Sequence, residues 1–256
     1  MELNEKVAFI TGGASGLGKA TAENFVAAGA KVMLFDLNPE NAETAARELG
    51  ENADWSAGDV SNENDISQAI LKTKESFGAL HINVNSAGIG AAARTLGKNG
   101  PMPIQQFEFV IKVNLLGTFN CLRLCAAEMK NNELQTVDSE KGVIINVASV
   151  AAFDGQIGQA AYSASKAGVA GMTLPIARDL GRDGIRVATI APGIFETPMM
   201  KSAPPQVREP LVEMTQFPKR LGNPSEFAQT AAHIVKCSYI NGEVIRLDGG
   251  IRMAPK

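Results

Sequence analysis

Short apolar runs alternate along this chain with longer segments of helical periodicity, and this alternation constrains the fold more than any other feature. A strand buried in a parallel sheet is a short apolar run, whereas an amphipathic helix has apolar residues at three- and four-residue spacing. Strands that alternate with such helices are typical of βαβ units, in which crossover helices join parallel strands. The pattern therefore predicts a parallel sheet covered by helices.

These elements account for most of the 256 residues. The strands are predicted at Val7 to Ile10, Lys31 to Phe35, His81 to Val84, Val143 to Val147, Ile185 to Ile190 and Val244 to Leu247. The helices are predicted at Leu17 to Ala28, Pro39 to Leu49, Glu63 to Phe77, Gln105 to Met129, Ala160 to Leu180 and Pro224 to Val235. Since no repeat or linker interrupts this order, we predict an α/β fold. It is a single doubly wound Rossmann-type domain over residues 1–256, with a central parallel sheet flanked by helices on both faces.

Two segments, Gly90 to Pro103 and Phe195 to Arg220, lack this periodicity. Each follows a predicted strand, and in a doubly wound sheet the carboxyl ends of the strands border the ligand crevice. Long irregular loops in compact domains are commonly lids or binding loops. We predict a substrate loop at about 195–220, with an ordinary surface insertion as the alternative for both segments.

The charge balance argues against a nucleic-acid-binding protein. The chain has 24 basic and 27 acidic residues and a formal net charge of −3. It therefore offers no excess of cations to a phosphate backbone.

The sequence indicates neither a targeting peptide nor a membrane span. The N-terminal residues lead directly into the first strand, which leaves no room for a signal peptide, and no stretch reads as long enough to span a bilayer. The cysteines are Cys121, Cys125 and Cys237, an odd number without disulfide spacing, which favours a reducing compartment. Cys121 and Cys125 lack further ligands at metal-binding spacing, so we predict core positions and no metal site. We expect a cytoplasmic protein.

A glycine-rich turn follows the first strand, with Gly12, Gly16 and Gly18 in a GxxxGxG pattern that opens the first helix. Glycines here permit a tight turn and bring backbone N–H groups and the helix N-terminus close to a phosphate. A strand-to-helix turn alone would need some of these glycines, so the pattern gains its meaning from context. In this context it predicts a site for the pyrophosphate of a dinucleotide.

Asp36 ends the second strand, 18 residues after Gly18. At this distance an acidic side chain meets the adenosine ribose hydroxyl groups of NAD and repels the 2′-phosphate of NADP. Leu37 follows, so no Arg stands there to bind that phosphate. These residues predict NAD as the cofactor, and the alternative is that Asp36 caps the next helix.

Two further segments carry polar or small residues where the adenine and the second ribose would lie. They are Asp59-Val60 and Asn85-Ser86-Ala87-Gly88. Each alone is an ordinary turn. Together with the glycine turn and Asp36, they predict a cofactor-binding edge along one side of the sheet.

Tyr162 and Lys166 share one face of a predicted helix, because residues four apart are neighbours on a helix surface. A free tyrosine has a pKa of about 10 and is a poor base at pH 7, but a neighbouring ammonium stabilises the phenolate. The pair predicts a tyrosine whose pKa Lys166 lowers and which exchanges a proton with a substrate. An exposed pair without a catalytic role is the alternative.

Ser149 and Asn114 extend this candidate reactive group. Ser149 follows the strand predicted at Val143 to Val147, and its hydroxyl would donate to a substrate oxygen. Asn114 lies among apolar residues of a predicted helix, so its buried amide needs partners. An interruption of the helix that holds a water would supply them, and an ordinary polar contact in the core is the alternative.

These motifs resemble those of the short-chain dehydrogenase/reductase family over essentially the whole chain. Residues 11–18 resemble its cofactor turn, and Asn85 to Gly88 resemble its NNAG motif with a Ser in place of the second Asn. The resemblance implies a nicotinamide-dependent oxidoreductase. The catalytic tetrad of the family corresponds here to Asn114, Ser149, Tyr162 and Lys166.

Four stretches are more closely similar to members of the family that oxidise the 3-hydroxyl of short- or branched-chain acyl-CoA with NAD. They are residues 142–169, 171–181, 190–199 and 241–253. This similarity implies an acyl-CoA or similar small-molecule substrate and a homotetramer. Such members act in mitochondria in eukaryotes, so the mitochondrial matrix is the expected location if the source is eukaryotic.

The resemblance also implies which residues contact the cofactor. The NAD contacts are Gly12, Ser15, Gly16, Leu17, Gly18, Asp36, Asp59, Val60, Asn85, Ser86, Ala87, Gly88, Tyr162, Lys166, Pro192, Gly193, Phe195 and Thr197, with Thr197 at the nicotinamide carboxamide. Independently of the resemblance, we predict substrate contacts at Ser149 and Tyr162, and at Gln156 and Gln159 because these two lie between them in sequence.

Other functions remain open from the sequence. A hydroxysteroid or general alcohol dehydrogenase would use the same tetrad, whereas an acyl-carrier-protein ketoreductase using NADPH is disfavoured by Asp36 and Leu37. A scaffold subunit of a complex would not need the tetrad. The near-neutral charge gives no support for direct RNA binding.

Overall fold

A seven-stranded sheet runs through the structure, a computed structural model that describes residues 1–133, 140–201 and 204–255. The strands are β1 Val7–Thr11, β2 Lys31–Asp36, β3 Ala53–Ala57, β4 Ile82–Asn85, β5 Leu96–Gly97, β6 Gly100–Pro101, β7 Gly142–Val147, β8 Ile185–Pro192 and β9 Val244–Leu247. β5 and β6 form a separate small hairpin, and the others are parallel in the order β3-β2-β1-β4-β7-β8-β9. The winding reverses between β1 and β4, which confirms the predicted doubly wound fold.

The helices connect these strands across both faces of the sheet. They are α1 Gly16–Ala27, α2 Pro39–Leu49, α3 Glu63–Phe77, α4 Ile104–Ile111, α5 Gly117–Met129, α6 Ala160–Gly181, α7 Pro198–Lys201, α8 Pro205–Met214 and α9 Pro224–Lys236. A π-helix at Lys112–Leu116 joins α4 to α5, and a 3₁₀ turn at Val150–Ala152 follows β7. The side chains of Asn38, Asn62 and Asn223 accept backbone N–H groups at the starts of α2, α3 and α9, as N-cap residues do.

Two apolar layers hold the helices to the sheet. Because successive side chains of a strand point to opposite faces, neighbouring residues enter different layers. Ile10 and Leu34 pack with Phe25 of α1 and with apolar residues of α9 on one face. Phe9 and Met33 pack on the other face with residues of α3, α5 and α6. The carboxyl ends of the strands are therefore held in register along one edge, where the predicted site lies.

Strand β3 is absent from the sequence-based prediction. It lies at the edge of the sheet beside β2, and its residues Ala-Asp-Trp-Ser-Ala are half-buried or exposed. A strand in this position needs no continuous apolar run. Composition alone therefore does not distinguish it from a loop.

The two segments predicted to be irregular contain regular structure. The first includes the β5–β6 hairpin, and the second includes α7 and α8. Pro205 stands in the first turn of α8, where proline needs no N–H partner. The second segment thus contains helices rather than being irregular throughout, although Pro210 lies inside α8.

The helical run from Ile104 to Met129 contradicts the expectation that no segment is long enough to span a membrane. Its 26 residues pass that test by length and composition, with a mean hydropathy of 1.3 in the relevant window. Part of its apolar surface serves the core, because Cys121, Leu122 and Cys125 are buried against the sheet. This also agrees with core positions for the two cysteines.

His81 is a buried histidine that precedes β4 and contacts β1. Its Nδ1 accepts a hydrogen bond from the Val7 N–H group at 3.2 Å. Burial, with a contribution from the charge of Lys6, lowers the pKa of His81 from 6.5 to about 4. The folded protein therefore keeps the ring neutral where the unfolded chain takes up a proton. We expect the free energy of unfolding to fall as the pH drops through 6.5 toward 4, by about 2 kcal/mol between pH 8 and pH 5.

Urea unfolding followed by the fluorescence of Trp55, the single tryptophan, measures this loss. The His81→Asn variant keeps an acceptor for Val7 but does not titrate in this range. Its stability should therefore fall less between the two pH values than that of the wild type. An equal loss in both proteins would show that His81 is not its source.

Candidate active site

The predicted site residues gather along the carboxyl edge of the sheet, after β1, β2, β3, β4, β7 and β8. In the glycine turn, Gly12 and Gly16 have φ angles of +62° and +54°. A Cβ on Gly12 would approach the Ala87 backbone to 3.0 Å, and one on Gly18 would lie 2.2 Å from the Gly12 carbonyl oxygen. These positions require glycine, because the turn packs directly on the segment after β4 and on its own helix.

The N-terminus of α1 is open to an anion. Its N-cap residue, Ser15, makes no side-chain hydrogen bond to the first turn. The backbone N–H groups there are consequently left for a ligand, and the helix dipole favours negative charge. Leu17 is the second residue of α1 and packs against the core below this turn.

Asp36 lies next to the glycine turn at the end of β2. Its carboxylate oxygens accept hydrogen bonds from the Ala14 and Asn38 N–H groups, both at 3.2 Å. The N-cap of α2 is Asn38, whose side chain accepts from Asn41. Asp36 therefore does not cap that helix. It presents a negative charge where a ribose bound at the turn would lie.

Asp59 and Val60 follow β3 in a tight turn. The Asp59 carboxylate accepts from the N–H and hydroxyl groups of Ser61, both at 2.8 Å. Val60 is buried, and its carbonyl accepts from Asn120 at 2.9 Å. The turn is thus braced by α5, and the NAD contacts at both residues stay a prediction.

Asn85 ends β4 in a buried polar row. Its amide donates to Asn83 at 2.8 Å and to Asn146 of β7 at 2.9 Å. The next residues are Ser86 and Ala87, and the Ala87 N–H group donates to the Thr11 hydroxyl at 3.1 Å. These contacts hold the segment after β4 against the glycine turn.

Asn114 is fully buried in the π-helix, so the predicted interruption of the α-helix is present. Its Oδ1 accepts from the Ile89 N–H group at 2.8 Å. Its Nδ2 donates to the Ile89 carbonyl at 3.0 Å and to the Ser165 hydroxyl at 3.1 Å. The side chain thus joins the segment after β4 to α6, which agrees with the alternative prediction of an ordinary polar contact in the core. The water that Asn114 was predicted to hold stays a prediction.

Gly88 brings three segments together beside this asparagine. A Cβ on Gly88 would lie 3.2 Å from Asn114 Oδ1 and 3.4 Å from Lys166 Nζ. Lys166 donates from Nζ to the Val147 carbonyl at 2.8 Å, and burial lowers its pKa from 10.5 to about 8. The lysine is therefore positively charged at neutral pH and is held at the junction of β4, β7 and α6.

Ser149 and Tyr162 form the reactive pair. Ser149 begins the 3₁₀ turn after β7, and its hydroxyl accepts from the Ala151 N–H group at 3.1 Å. Although burial raises the pKa of the Tyr162 phenol, the neighbouring Ser149 hydroxyl acts to lower it, so the two hydroxyl groups lie close together.

The pKa of Tyr162 differs from the sequence-based expectation. Burial raises it, and the hydrogen bond with Ser149 only opposes this rise. Lys166 does not lower the pKa, because its ammonium lies 5.9 Å from the centre of the Tyr162 ring and donates to the Val147 carbonyl. At neutral pH the tyrosine is protonated, which is the form that donates a proton to a ketone.

The segment after β8 returns to the glycine turn. Pro192 ends β8, and Gly193 follows with its N–H group bonded to the Leu247 carbonyl at 2.9 Å. Phe195 packs edge-on against Phe227. The side chain of Thr197 lies so close to Gly16 that a Cβ there would be 3.6 Å from its methyl group. Thr197 is thus beside the open turn.

Gln156 and Gln159 lie in the loop between Ser149 and Tyr162. The Gln156 side chain donates to the Ala254 carbonyl, and its N–H group donates to Gln159 Oε1, both at 2.9 Å. Gln156 Nε2 and Gln159 Oε1 thus have partners within the chain. The contact of these two side chains with substrate stays a prediction.

Thr11, Ser165 and the Val147 carbonyl were not singled out from the sequence. Thr11 and Ser165 hold the site through single hydrogen bonds between distant segments, which no local pattern signals. Ser165 stands three residues after Tyr162, so helical spacing would have suggested that it lies near the tyrosine. Among the residues described, no group of three His, Cys, Asp or Glu side chains is placed to hold a metal ion.

Known proteins are similar to this chain in sequence and in fold. A family profile described as short chain dehydrogenase matches residues 6–208. The 3-hydroxyacyl-CoA dehydrogenase type-2 of Bos taurus is 53% identical over 251 residues, 97% of this chain and 96% of that protein. A crystal structure of 3-hydroxyacyl-CoA dehydrogenase type-2 from Mycobacterium avium has a TM-score of 0.94 at 40% identity, over 100% of both chains. A 7α-hydroxysteroid dehydrogenase complexed with NADH and 7-oxo glycochenodeoxycholic acid has a TM-score of 0.89 at 29% identity, over 100% of this chain and 97% of the other.

Proposed function

We propose that this chain, which belongs to the short chain dehydrogenase family, interconverts the 3-hydroxyl and 3-keto groups of an acyl-CoA with NAD. The acyl chain is short or branched. The observation that carries this proposal is the reactive pair of Ser149 and Tyr162 beside the buried ammonium of Lys166. The names of the most similar relatives support the acyl-CoA class.

NAD supplies the hydride acceptor when it is bound, and the protein supplies orientation and electrostatics. The cradle at Gly12 and the uncapped N-terminus of α1 fit a pyrophosphate. Asp36 fits the ribose hydroxyl groups and opposes a 2′-phosphate. These residues support NAD rather than NADP.

In the oxidation, Tyr162 takes the proton of the substrate hydroxyl at its phenolic oxygen. Ser149 donates a hydrogen bond to the same substrate oxygen, which holds it in place. Lys166 donates to the Val147 carbonyl beside the tyrosine, and Asn114 holds Ile89 next to Gly88, the residue packed near the lysine. Because burial raises the pKa of Tyr162, oxidation gains from alkaline pH whereas reduction proceeds from the protonated tyrosine at neutral pH.

The assay that tests this function follows NADH absorbance with acetoacetyl-CoA as the substrate. We expect fast oxidation of NADH, slow oxidation of NADPH, and little turnover of a 3-keto ester that lacks CoA. Equal turnover of the plain ester would remove CoA from the proposal. Absence of turnover with every ketone would favour the scaffold role instead.

A hydroxysteroid dehydrogenase is the second candidate, favoured by the likeness to a structure that contains a 7-oxo bile acid. The same assay distinguishes it, because a 7-oxo bile acid would then oxidise NADH faster than acetoacetyl-CoA does. The tetrad would serve both ketones alike.

We also propose a homotetramer in a reducing compartment, the cytoplasm or the mitochondrial matrix. Exposed apolar side chains on the helical run 104–129 and on α6 support association between copies; they are Phe109, Leu116, Phe119 and Leu174. The cysteines are free thiols, which supports a reducing location. Sedimentation velocity measures the assembly, and a monomer would contradict it.

A further inference from the structure

A cavity of about 220 Å³ lies between the segment after β4, helix α4 and the start of α6. Its walls include Gly90, Ala91, Ala92 and Ala93, with the larger side chains of Phe109 and Val110 and others on the helical side. Among the described residues that line it, Gln106 has the sole polar side chain. The cavity therefore suits an apolar group and offers no cation to a phosphate.

This cavity adjoins the reactive residues along two segments. Ile89 lines it and directly follows Gly88, which touches Lys166 and Asn114. Ala161 lines it and directly precedes Tyr162. The cavity therefore borders the two segments that carry the residues beside the reactive pair.

The walls of the cavity are preformed. Asn114 holds Ile89 through two hydrogen bonds, at 2.8 and 3.0 Å. The Ala93 N–H group donates to the Gly158 carbonyl at 2.8 Å, which joins the segment after β4 to the loop before α6. The width of the cavity is therefore set by side-chain size at fixed backbone positions, and alanine is the smallest side chain available there.

The size of the cavity indicates what it holds. Sites for drug-sized molecules are about 300–1,000 Å³, so this one is too small for a nucleotide or a complete steroid. It has room for a short or branched alkyl chain. This argument rests on the proposed function, in which the substrate is an acyl-CoA.

We propose that this cavity receives the apolar end of the acyl chain beyond the reacting C3, and that Ala93 sets the longest chain accepted. The alkyl end is enclosed between the alanines and the helical wall, while the CoA portion lies outside. Each methylene that the cavity accepts or rejects then changes the specificity by about 10–200-fold, as in other apolar pockets.

The test compares kcat/KM for 3-ketoacyl-CoA thioesters of four and eight carbons in three variants. Ala93→Leu fills the cavity and should lower the eight-to-four-carbon ratio by at least about 10-fold. Val110→Ala enlarges it and should raise the ratio. Ala27→Leu, at an exposed position of α1, is the matched control and should leave the ratio unchanged. Titration with NADH verifies that each variant is folded and binds the cofactor.

The possible failures are distinguishable. Ratios equal to that of the wild type in Ala93→Leu and Val110→Ala would overturn the inference, while turnover of the four-carbon thioester would leave the proposed function standing. A ratio that moves in the same direction in both variants would also overturn it. A wild type that turns over no CoA thioester would overturn the proposed function and the inference with it.

Discussion

Replacing Tyr162 by Phe is expected to lower kcat by about 10²–10⁴-fold, the range that a positioned acid–base group contributes. The change removes only the phenolic oxygen, so the ring keeps its packing beside Lys166. Binding of NADH should therefore persist, and a fluorescence titration measures it beside the steady-state assay. The loss should appear in both directions, because the same oxygen accepts and donates the proton.

The second tyrosine of the chain is a matched control. Tyr239 is 99% exposed and lies far from the reactive pair in sequence, so Tyr239→Phe should leave kcat unchanged. If Tyr162→Phe retained turnover within about 10-fold of the wild type, the acid–base assignment would be wrong. Ser149, which shares the hydrogen bond, would then be the group to test.

Replacing Asp36 by Asn is expected to reduce the preference for NADH over NADPH by about 100-fold, measured as the ratio of kcat/KM values. The variant removes the negative charge but keeps an oxygen that accepts from Ala14 or Asn38. A change of 100-fold corresponds to about 2.7 kcal/mol. This is below the ~4 kcal/mol between two unit charges about 4 Å apart near a protein surface, so one carboxylate is sufficient to cause it.

The control for this change is Asp179→Asn, at an exposed position of α6. It alters the net charge by the same amount without touching the turn. We expect no change in cofactor preference there. An unchanged ratio in Asp36→Asn would show that the preference resides elsewhere along the glycine turn.

Local spacing was sufficient to predict six of the seven strands of the main sheet and to place Tyr162 and Lys166 on one helix. Apolar runs identify the buried strands because burial on both faces requires such runs. The pair of Tyr162 and Lys166 follows from helical geometry, and the glycine turn follows from its place between a strand and a helix. These are properties of neighbouring residues, so one sequence contains them.

The features that the sequence-based prediction lacked depend on contacts between distant segments of the chain. β3 is a strand because β2 offers it backbone partners, although its own residues are polar or small. α8 is helical although Pro210 lies inside it. Asn114 bonds to Ile89 rather than to a group nearby in the chain, and no spacing rule links those two positions.

The sequence by itself thus determined the doubly wound sheet apart from its edge strand β3, and the proposed reactive side chains. Only the tertiary structure decided how those side chains titrate and what surrounds them. It buries Tyr162, which raises the pKa of the phenol, and it turns the Lys166 ammonium toward the Val147 carbonyl. It also leaves the apolar cavity beside Ala93. Desolvation and cavity shape arise from many long-range contacts at once, whereas periodicity and spacing arise from neighbours along the chain.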